Sequence, residues 1–188
     1  YQGQEFGTTN ADFTGIAQYD DIESRNFYAA GLALGQPSDQ LLAALALRSR
    51  DNARTPMAWN GGPNAGFTAG TPWLPLNANH DQINAAEAMA DPGSIFHHYR
   101  KLIALRHNSE VVRQGRFELL LGEHPTLFCY LRSLGGEVLL VLANWSSEPV
   151  ELPLDRLPSL TGARLLLGTH EEVGEALAGW ESRVYRLG

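Results

Sequence analysis

Cysteine is nearly absent. Cys129 is the only one in 188 residues, so no internal disulfide can form, and a reducing cytoplasm is the expected compartment. Cys129 sits in the apolar run Leu127-Phe128-Cys129-Tyr130-Leu131 and reads as a buried strand residue rather than a reactive thiol. Long apolar runs are also missing. None approaches the ~20 residues that span a bilayer, so no membrane partner is expected. Basic residues are in deficit, 14 against 21 acidic, for a formal net charge of −7. Phosphate binding needs a basic surface, which argues against nucleic acid as a partner. A neutral ligand such as a sugar fits this balance.

The usual catalytic signatures are lacking too. There is no Walker loop, no dinucleotide fingerprint, no His-Glu-x-x-His and no cysteine cluster. His97 and His98 are adjacent and have no third ligand at metal-site spacing, so they read as packing or surface residues. His80 and His124 lie in loops and read as structural or solvated, and the acidic pair Glu171-Glu172 as a solvated loop face. No cofactor or metal is expected. The chain opens at Tyr1 with neither Met nor a charged leader. The natural N-terminus is therefore expected upstream, and targeting is not judged from this end.

What is present divides near residue 108, with loop and helix before it and strand and turn after it. Apolar content is 44%, ordinary for a globular chain. A short helix is predicted over 20–30, its acidic entry (Asp20, Asp21, Glu23) suiting the positive end of the dipole. A second is predicted over 37–48, capped by Ser38 or Asp39, with a stripe of Leu41, Leu42 and Leu45. A third is predicted over 92–107, with Asp91 as cap, Pro92 in the first turn, and Ile95, Phe96, Tyr99, Leu102 and Ile103 as a buried stripe. Strands are predicted at 116–121, 126–133, 137–144, 149–152, 164–167 and 182–187, with Gly135-Gly136 as a tight hairpin turn. Short antiparallel strands at this spacing suggest a small sandwich-like domain.

Residues 50–81 are different. Pro, Gly, Asn and Trp dominate and no periodicity appears. A structureless stretch of that length is usually functional or disordered. The large apolar residues Trp59, Phe67 and Trp73 argue for order, and they are expected to anchor the loop. Arg50 and Arg54 bracket Asp51 and Asn52 within it. Such arginines can present fixed, planar donors to sugar hydroxyls. Equally, Arg50, Asp51 and Arg54 can form a salt-bridge lock that holds the loop. The residues alone leave both readings open.

A family resemblance bears on that choice. Arg50-Asp51-Asn52-Ala53-Arg54-Thr55-Pro56-Met57-Ala58-Trp59, then Asn64-Ala65-Gly66-Phe67-Thr68 and Thr71-Pro72-Trp73-Leu74, closely resembles the α-glucosidase, oligo-1,6-glucosidase and trehalose-6-phosphate hydrolase group of the α-amylase superfamily. Tyr1-Gln2-Gly3-Gln4-Glu5-Phe6-Gly7 resembles that group's segment at the end of the last barrel strand, Asp20-Asp21-Ile22-Glu23 its next loop, and residues 94–106 its final barrel helix. The resemblance implies an α/β portion over residues 1–108, the end of a (β/α)8 TIM barrel comprising last strand, long βα loop and closing helices. An antiparallel β domain over 109–188 would follow. The loop of residues 8–91 would form part of the active-site wall, because barrel enzymes build their sites from βα loops.

The implied chemistry is retaining, exo-acting hydrolysis of a small α-glucoside. The implied catalytic carboxylates precede Tyr1, so no residue here is assigned a catalytic role, and the chain alone is expected to be inactive. Arg54 matches the family arginine that holds the non-reducing-end glucose, and Glu23 matches a position near the aglycone subsite. Arg50 is expected to brace the loop. The remainder of the barrel is the expected partner, and the unfinished barrel edge is expected to leave apolar surface exposed. Two other classes share parts of this pattern: non-catalytic barrel relatives such as amino-acid-transporter heavy chains, and a free-standing carbohydrate-binding β-module, which leaves residues 1–108 unexplained.

Overall fold

The computed structural model describes residues 1–170 and 174–188, so the acidic pair Glu171-Glu172 lies outside the described residues. They form two compact units, Tyr1–Tyr99 and Arg100–Gly188.

The first unit holds helices α1 (Ile22–Ala33), α2 (Ser38–Arg48) and α3 (Ala85–Ala90), and the start of α4 (Ile95–Asn108). Asp21 caps α1, its side chain accepting the Ser24 N–H. The helix runs three residues past the predicted end because a Schellman turn closes it. Gly35 takes φ +77°, the Gln36 N–H reaches the Gly31 carbonyl and the Gly35 N–H reaches Leu32. Pro37 then starts α2. Ser38 is its first residue rather than its cap, and the Ser38 hydroxyl pairs with the Tyr28 hydroxyl at 2.7 Å. Gly31 lets the two helices close together, since a Cβ there would sit 2.4 Å from a Leu41 methyl. Leu41 and Leu45 are buried as the stripe requires, and Leu45 joins Ala11, Phe13 and Tyr19 in a small core.

No strand forms among residues 1–99. The segment expected at the end of the last barrel strand is a 3-10 turn, Gln4–Phe6, between two positive-φ glycines, Gly3 and Gly7. Residues 50–81 are ordered by 3-10 turns at Arg50–Arg54 and Pro63–Gly66. Phe6, Ala58 and Ala65 form the core beneath them, with Met57, Leu76 and Ile83 packed alongside. Trp59, Phe67 and Trp73 are not the anchors; all three are exposed. Helix α4 starts at Ile95, later than expected, because Asp91 instead caps a turn through the Gly93 N–H. Its apolar stripe is not buried either: Ile95 is 51% and Ile103 52% exposed, and Tyr99 and Leu102 are exposed as well. Among the described residues no helix is long and apolar enough to cross a membrane.

The second unit is antiparallel. Strands β1 (Arg116–Leu120), β2 (Leu127–Leu134), β3 (Glu137–Asn144), β5 (Arg164–Gly168) and β7 (Ser182–Arg186) form one sheet in the order β1-β2-β3-β7-β5. A short ladder pairs β4 (Val150–Glu151) with β6 (Ala176–Leu177), the latter absent from the sequence reading. The β2–β3 hairpin turns on Gly135 and Gly136, both at positive φ, as a two-residue type I′ turn demands. One sheet face carries Cys129, Leu140, Leu142 and Tyr185 into a core completed by Leu152, Leu157 and Leu177. Cys129 is fully buried and opposite Leu142, and burial raises its thiol pKa. Helix α5 (Glu110–Gln114) packs on β2 and β3, and Arg132 donates to the Val111 and Val112 carbonyls near its end.

A buried ion pair ties the ladder to the sheet. Arg183 is 2% exposed. It donates through Nε to Glu181 Oε1 at 2.6 Å, through Nη1 to the Gly174 carbonyl and through Nη2 to the Ala176 carbonyl. Glu181 Oε2 accepts the Ala178 N–H at 2.7 Å. Burial pushes the Glu181 pKa up, but the Arg183 and Ala178 hydrogen bonds outweigh it and hold the carboxyl below its usual range. Breaking such a pair strands one buried charge, at a cost of about 3–5 kcal/mol. Arg183→Ala is therefore expected to lower unfolding free energy by about that amount, measured by urea titration. A loss under about 1 kcal/mol would show the pair to be dispensable.

Candidate functional site

The Arg50–Arg54 turn is built around Asp51, whose side chain is fully buried. Ser49 caps the turn, its hydroxyl accepting the Asp51 N–H. Asp51 Oδ2 accepts the backbone N–H groups of Asp20 and Asp21 at 2.7 and 2.8 Å, which fastens the turn to the entry of α1. Asp51 Oδ1 faces Arg54 Nη1 at 3.4 Å. Asn52 completes the clasp, its Oδ1 accepting from Ala11 N–H and its Nδ2 donating to the Ala46 carbonyl. Beside this network lies Tyr19, edge-on to Phe13. Burial, and then the Asp51 charge, push the Tyr19 phenol pKa up, so it stays protonated.

Asp21 is the second acceptor. Its Oδ2 takes the Ser24 N–H and hydroxyl, each at 3.0 Å. Its Oδ1 takes Arg50 Nη2 at 2.7 Å and Arg54 Nη1 at 3.5 Å. Burial works to raise its pKa, yet the Ser24 and Arg50 hydrogen bonds prevail and hold it below the usual 3.8. Arg50 also pairs with Glu23 Oε2 at 2.9 Å. A salt-bridge lock therefore forms, but not as the expected Arg50–Asp51–Arg54 set: Arg54 pairs with Asp51 and Asp21, whereas Arg50 pairs with Asp21 and Glu23.

Arg54 has a second environment. It lines an open cleft of about 690 Å³ together with Tyr1, Trp59, Phe67 and Trp73. Among the described residues only its Nη1 has a partner, so Nε and Nη2 remain available as donors. Glu23 lies elsewhere, in a smaller cleft of about 220 Å³ with Phe27, Arg48 and Arg50. The two residues singled out from sequence therefore occupy separate clefts, connected through Asp21 and Arg50. Cation and aromatic faces suit a hydroxyl-rich ligand with an apolar ring face. The described residues that line the larger cleft include no carboxylate.

The remaining sequence candidates have structural partners. His97 Nε2 meets the Met89 carbonyl at 3.0 Å, and His124 Nδ1 accepts from Thr126 and Leu127 N–H. His80 Nδ1 lies 3.0 Å from the Asn77 carbonyl. Among the described residues no group of three or more His, Cys, Asp or Glu is gathered to hold a metal ion. Sequence reasoning missed Asp21 as the shared acceptor. Its signal was an Asp one residue before a helix, which was read only as a dipole partner.

Comparison with known proteins identifies the family to which this fold and cleft belong. The alpha amylase catalytic domain profile matches residues 1–115, and that of the maltogenic amylase C-terminal domain matches residues 117–176. The chain belongs to the α-amylase family, as a portion of its catalytic domain followed by its antiparallel C-terminal domain. It is 41% identical to an oligo-1,6-glucosidase of Parageobacillus thermoglucosidasius, over all of this chain and 34% of that protein. Among solved structures it resembles the Bacillus licheniformis trehalose-6-phosphate hydrolase, with a TM-score of 0.92 and 40% identity, over 99% of this chain and 35% of the other. It also resembles the trehalulose synthase of Pseudomonas mesoacidophila MX-45, with a TM-score of 0.86 and 35% identity, over 98% of this chain and 34% of the other. The chain spans about a third of the length of the curated relatives it matches.

The depressed Asp21 pKa fixes a pH dependence. Its stabilising contribution is complete above the unfolded carboxyl value and is lost as pH falls through the lower folded value. Asp21→Asn should therefore reduce Tm at pH 7, and the gap from wild type should shrink below the usual 3.8. Thermal melts from pH 7 to pH 2.5 check this; a gap constant across that range would contradict it.

Proposed function

We propose that this chain is part of a retaining, exo-acting α-glucosidase that hydrolyses short α-glucosides. Arg54 holds the non-reducing-end glucose, and Glu23 lies on the aglycone side. The observation that carries this reading is Arg54 itself. One guanidinium nitrogen is tethered by two buried carboxylates, the others have no partner among the described residues, and the side chain lines a cleft with Trp59, Phe67 and Trp73. A planar cation fixed in this way can donate in parallel to vicinal sugar hydroxyls, and indole faces can stack on the sugar ring. The names of the relatives, glucosidases and a trehalose-6-phosphate hydrolase, support the same substrate class.

Retaining hydrolysis needs a nucleophilic carboxylate and an acid ~5–5.5 Å apart. No residue of this chain is assigned to either role. The nucleophile and acid belong to the remainder of the barrel, which is the partner of this chain. The exposed apolar stripe of α4 supports that partnership, because a face carrying Ile95, Tyr99, Leu102 and Ile103 is the kind another element covers. The barrel portion extends over residues 1–108 and the β domain over 109–188. A cytoplasmic setting is supported by the single cysteine, which cannot pair within the chain.

In the whole enzyme, Arg54→Ala is expected to lower kcat/KM for p-nitrophenyl α-glucoside by about 100-fold or more while Tm falls only a few degrees. Steady-state kinetics with thermal melts check this. Unchanged kinetics would return Arg54 to a purely structural role. Turnover by the wild-type protein also separates this reading from that of a non-catalytic transporter heavy chain.

A further inference from the structure

Arg54 is not held by its own segment alone. Its Nη1 sits between Asp51 Oδ1, at 3.4 Å within its own turn, and Asp21 Oδ1, at 3.5 Å from the entry of α1. Two anchors on one nitrogen limit how a planar guanidinium can turn, so the direction in which Nε and Nη2 point depends on both. Asp51 is the deep anchor, with Oδ2 committed to two backbone amides and Oδ1 facing Arg54. Asp21 is different. Its carboxylate cannot drift, because Oδ2 is fixed by the first turn of a 12-residue helix and its own N–H is fixed by Asp51. Its other oxygen is given wholly to arginines, Arg50 on the side of the smaller cleft and Arg54 on the side of the larger one.

We infer that Asp21 is a positioning residue of the site: a helix-capping carboxylate that aims the Arg54 guanidinium at the substrate and ties its placement to the Arg50–Glu23 pair. The inference rests on the reading of Arg54 as a sugar-holding residue. Asp21 itself touches no substrate. Its effect on turnover passes through Arg54, and misaligned donors lose rate steeply because productive geometry is narrow. The helix-cap role and the positioning role use different oxygens, so they can be separated. Ser24→Ala removes a hydroxyl from Oδ2 and a partner at 2.8 Å from the Ser49 hydroxyl, while Oδ1 keeps both arginines and Ser49 keeps the Asp51 N–H.

The test is a double-mutant cycle in the whole enzyme, reading kcat/KM on p-nitrophenyl α-glucoside and the competitive inhibition constant of glucose. Asp21→Asn is expected to reduce kcat/KM about tenfold and to weaken glucose inhibition in the wild-type background. The same change is expected to cost less than about twofold in an Arg54→Ala background, because residues acting through one another are not additive. Ser24→Ala is expected to leave the kinetics within about twofold. If Asp21→Asn does not fold, Asp21→Ser replaces it, since Ser caps a helix as well as Asp does but carries no charge. A kinetically silent Asp21 variant, an equal loss in both backgrounds, or a Ser24→Ala variant that reproduces the loss would overturn the inference while leaving the proposed function standing. A whole protein that turns over no α-glucoside overturns both.

Discussion

A carboxylate with no exposure to water must be surrounded by donors, and the first unit is organised to supply them to Asp51. The effective cost of burying such a charge is still several kcal/mol after relaxation. Here two backbone amides at 2.7 and 2.8 Å and a guanidinium beyond them offset it. Those amides belong to Asp20 and Asp21, at the entry of α1, while Asp51 belongs to the turn that follows α2. One side chain therefore closes the α1–α2 pair into a loop and sets where the next 30 or so residues begin. Asn52 adds a neutral clasp to Ala11 and Ala46 from the same turn. Once Asp51 is in place, the neighbouring positions have little freedom. Asp21 caps its helix and faces two arginines, and Arg54 is left at the rim with spare donors.

Most regular elements were legible because their signals are local. Leu41 and Leu45 repeat at helical spacing and are buried; Gly135-Gly136 make the only turn their φ angles allow; Cys129 sits mid-strand, where apolar runs belong. Other features were hidden because their cause lies far along the chain. Strand β6 is two residues long and pairs with the distant β4 (Val150 with Leu177, Glu151 with Ala176), so no pattern announces it. Helix α3 carries too few large apolar residues to show a period. The start of α4 was misplaced because Asp91 and Pro92 read as cap and first turn, whereas Asp91 instead turns back on Gly93. The buried stripe of α4 and the Trp anchors failed for another reason. Apolar periodicity shows that a face wants cover, not that this chain supplies it.

The site was legible in part. Arg54 and Glu23 were reached through family resemblance, and the competing salt-bridge lock through chemistry. The structure makes these compatible rather than exclusive, since among the described residues only one Arg54 nitrogen joins the lock, and the same side chain lines the larger cleft. Asp51 burial could not be read from sequence, because Asp is ordinarily a surface residue and its backbone donors sit 31 and 30 positions upstream. The same holds for the Glu181–Arg183 pair in the second unit, whose Arg reaches the Ala176 carbonyl on β6 and the Gly174 carbonyl just before it. This third of an α-amylase-family protein brings a cation and aromatic faces to one cleft.

The central claim is that buried Asp51 holds the entry of α1 and thereby the site. Hydrogen exchange on Asp51→Leu tests it most directly, because Leu fills the volume and removes both acceptors. The account predicts that the Asp20 and Asp21 amides exchange about 10- to 100-fold faster than in wild type, as loss of charge-assisted hydrogen bonds implies, while the β3 amides of Leu140 and Leu142 keep their protection. Unchanged exchange at Asp20 and Asp21 would contradict it.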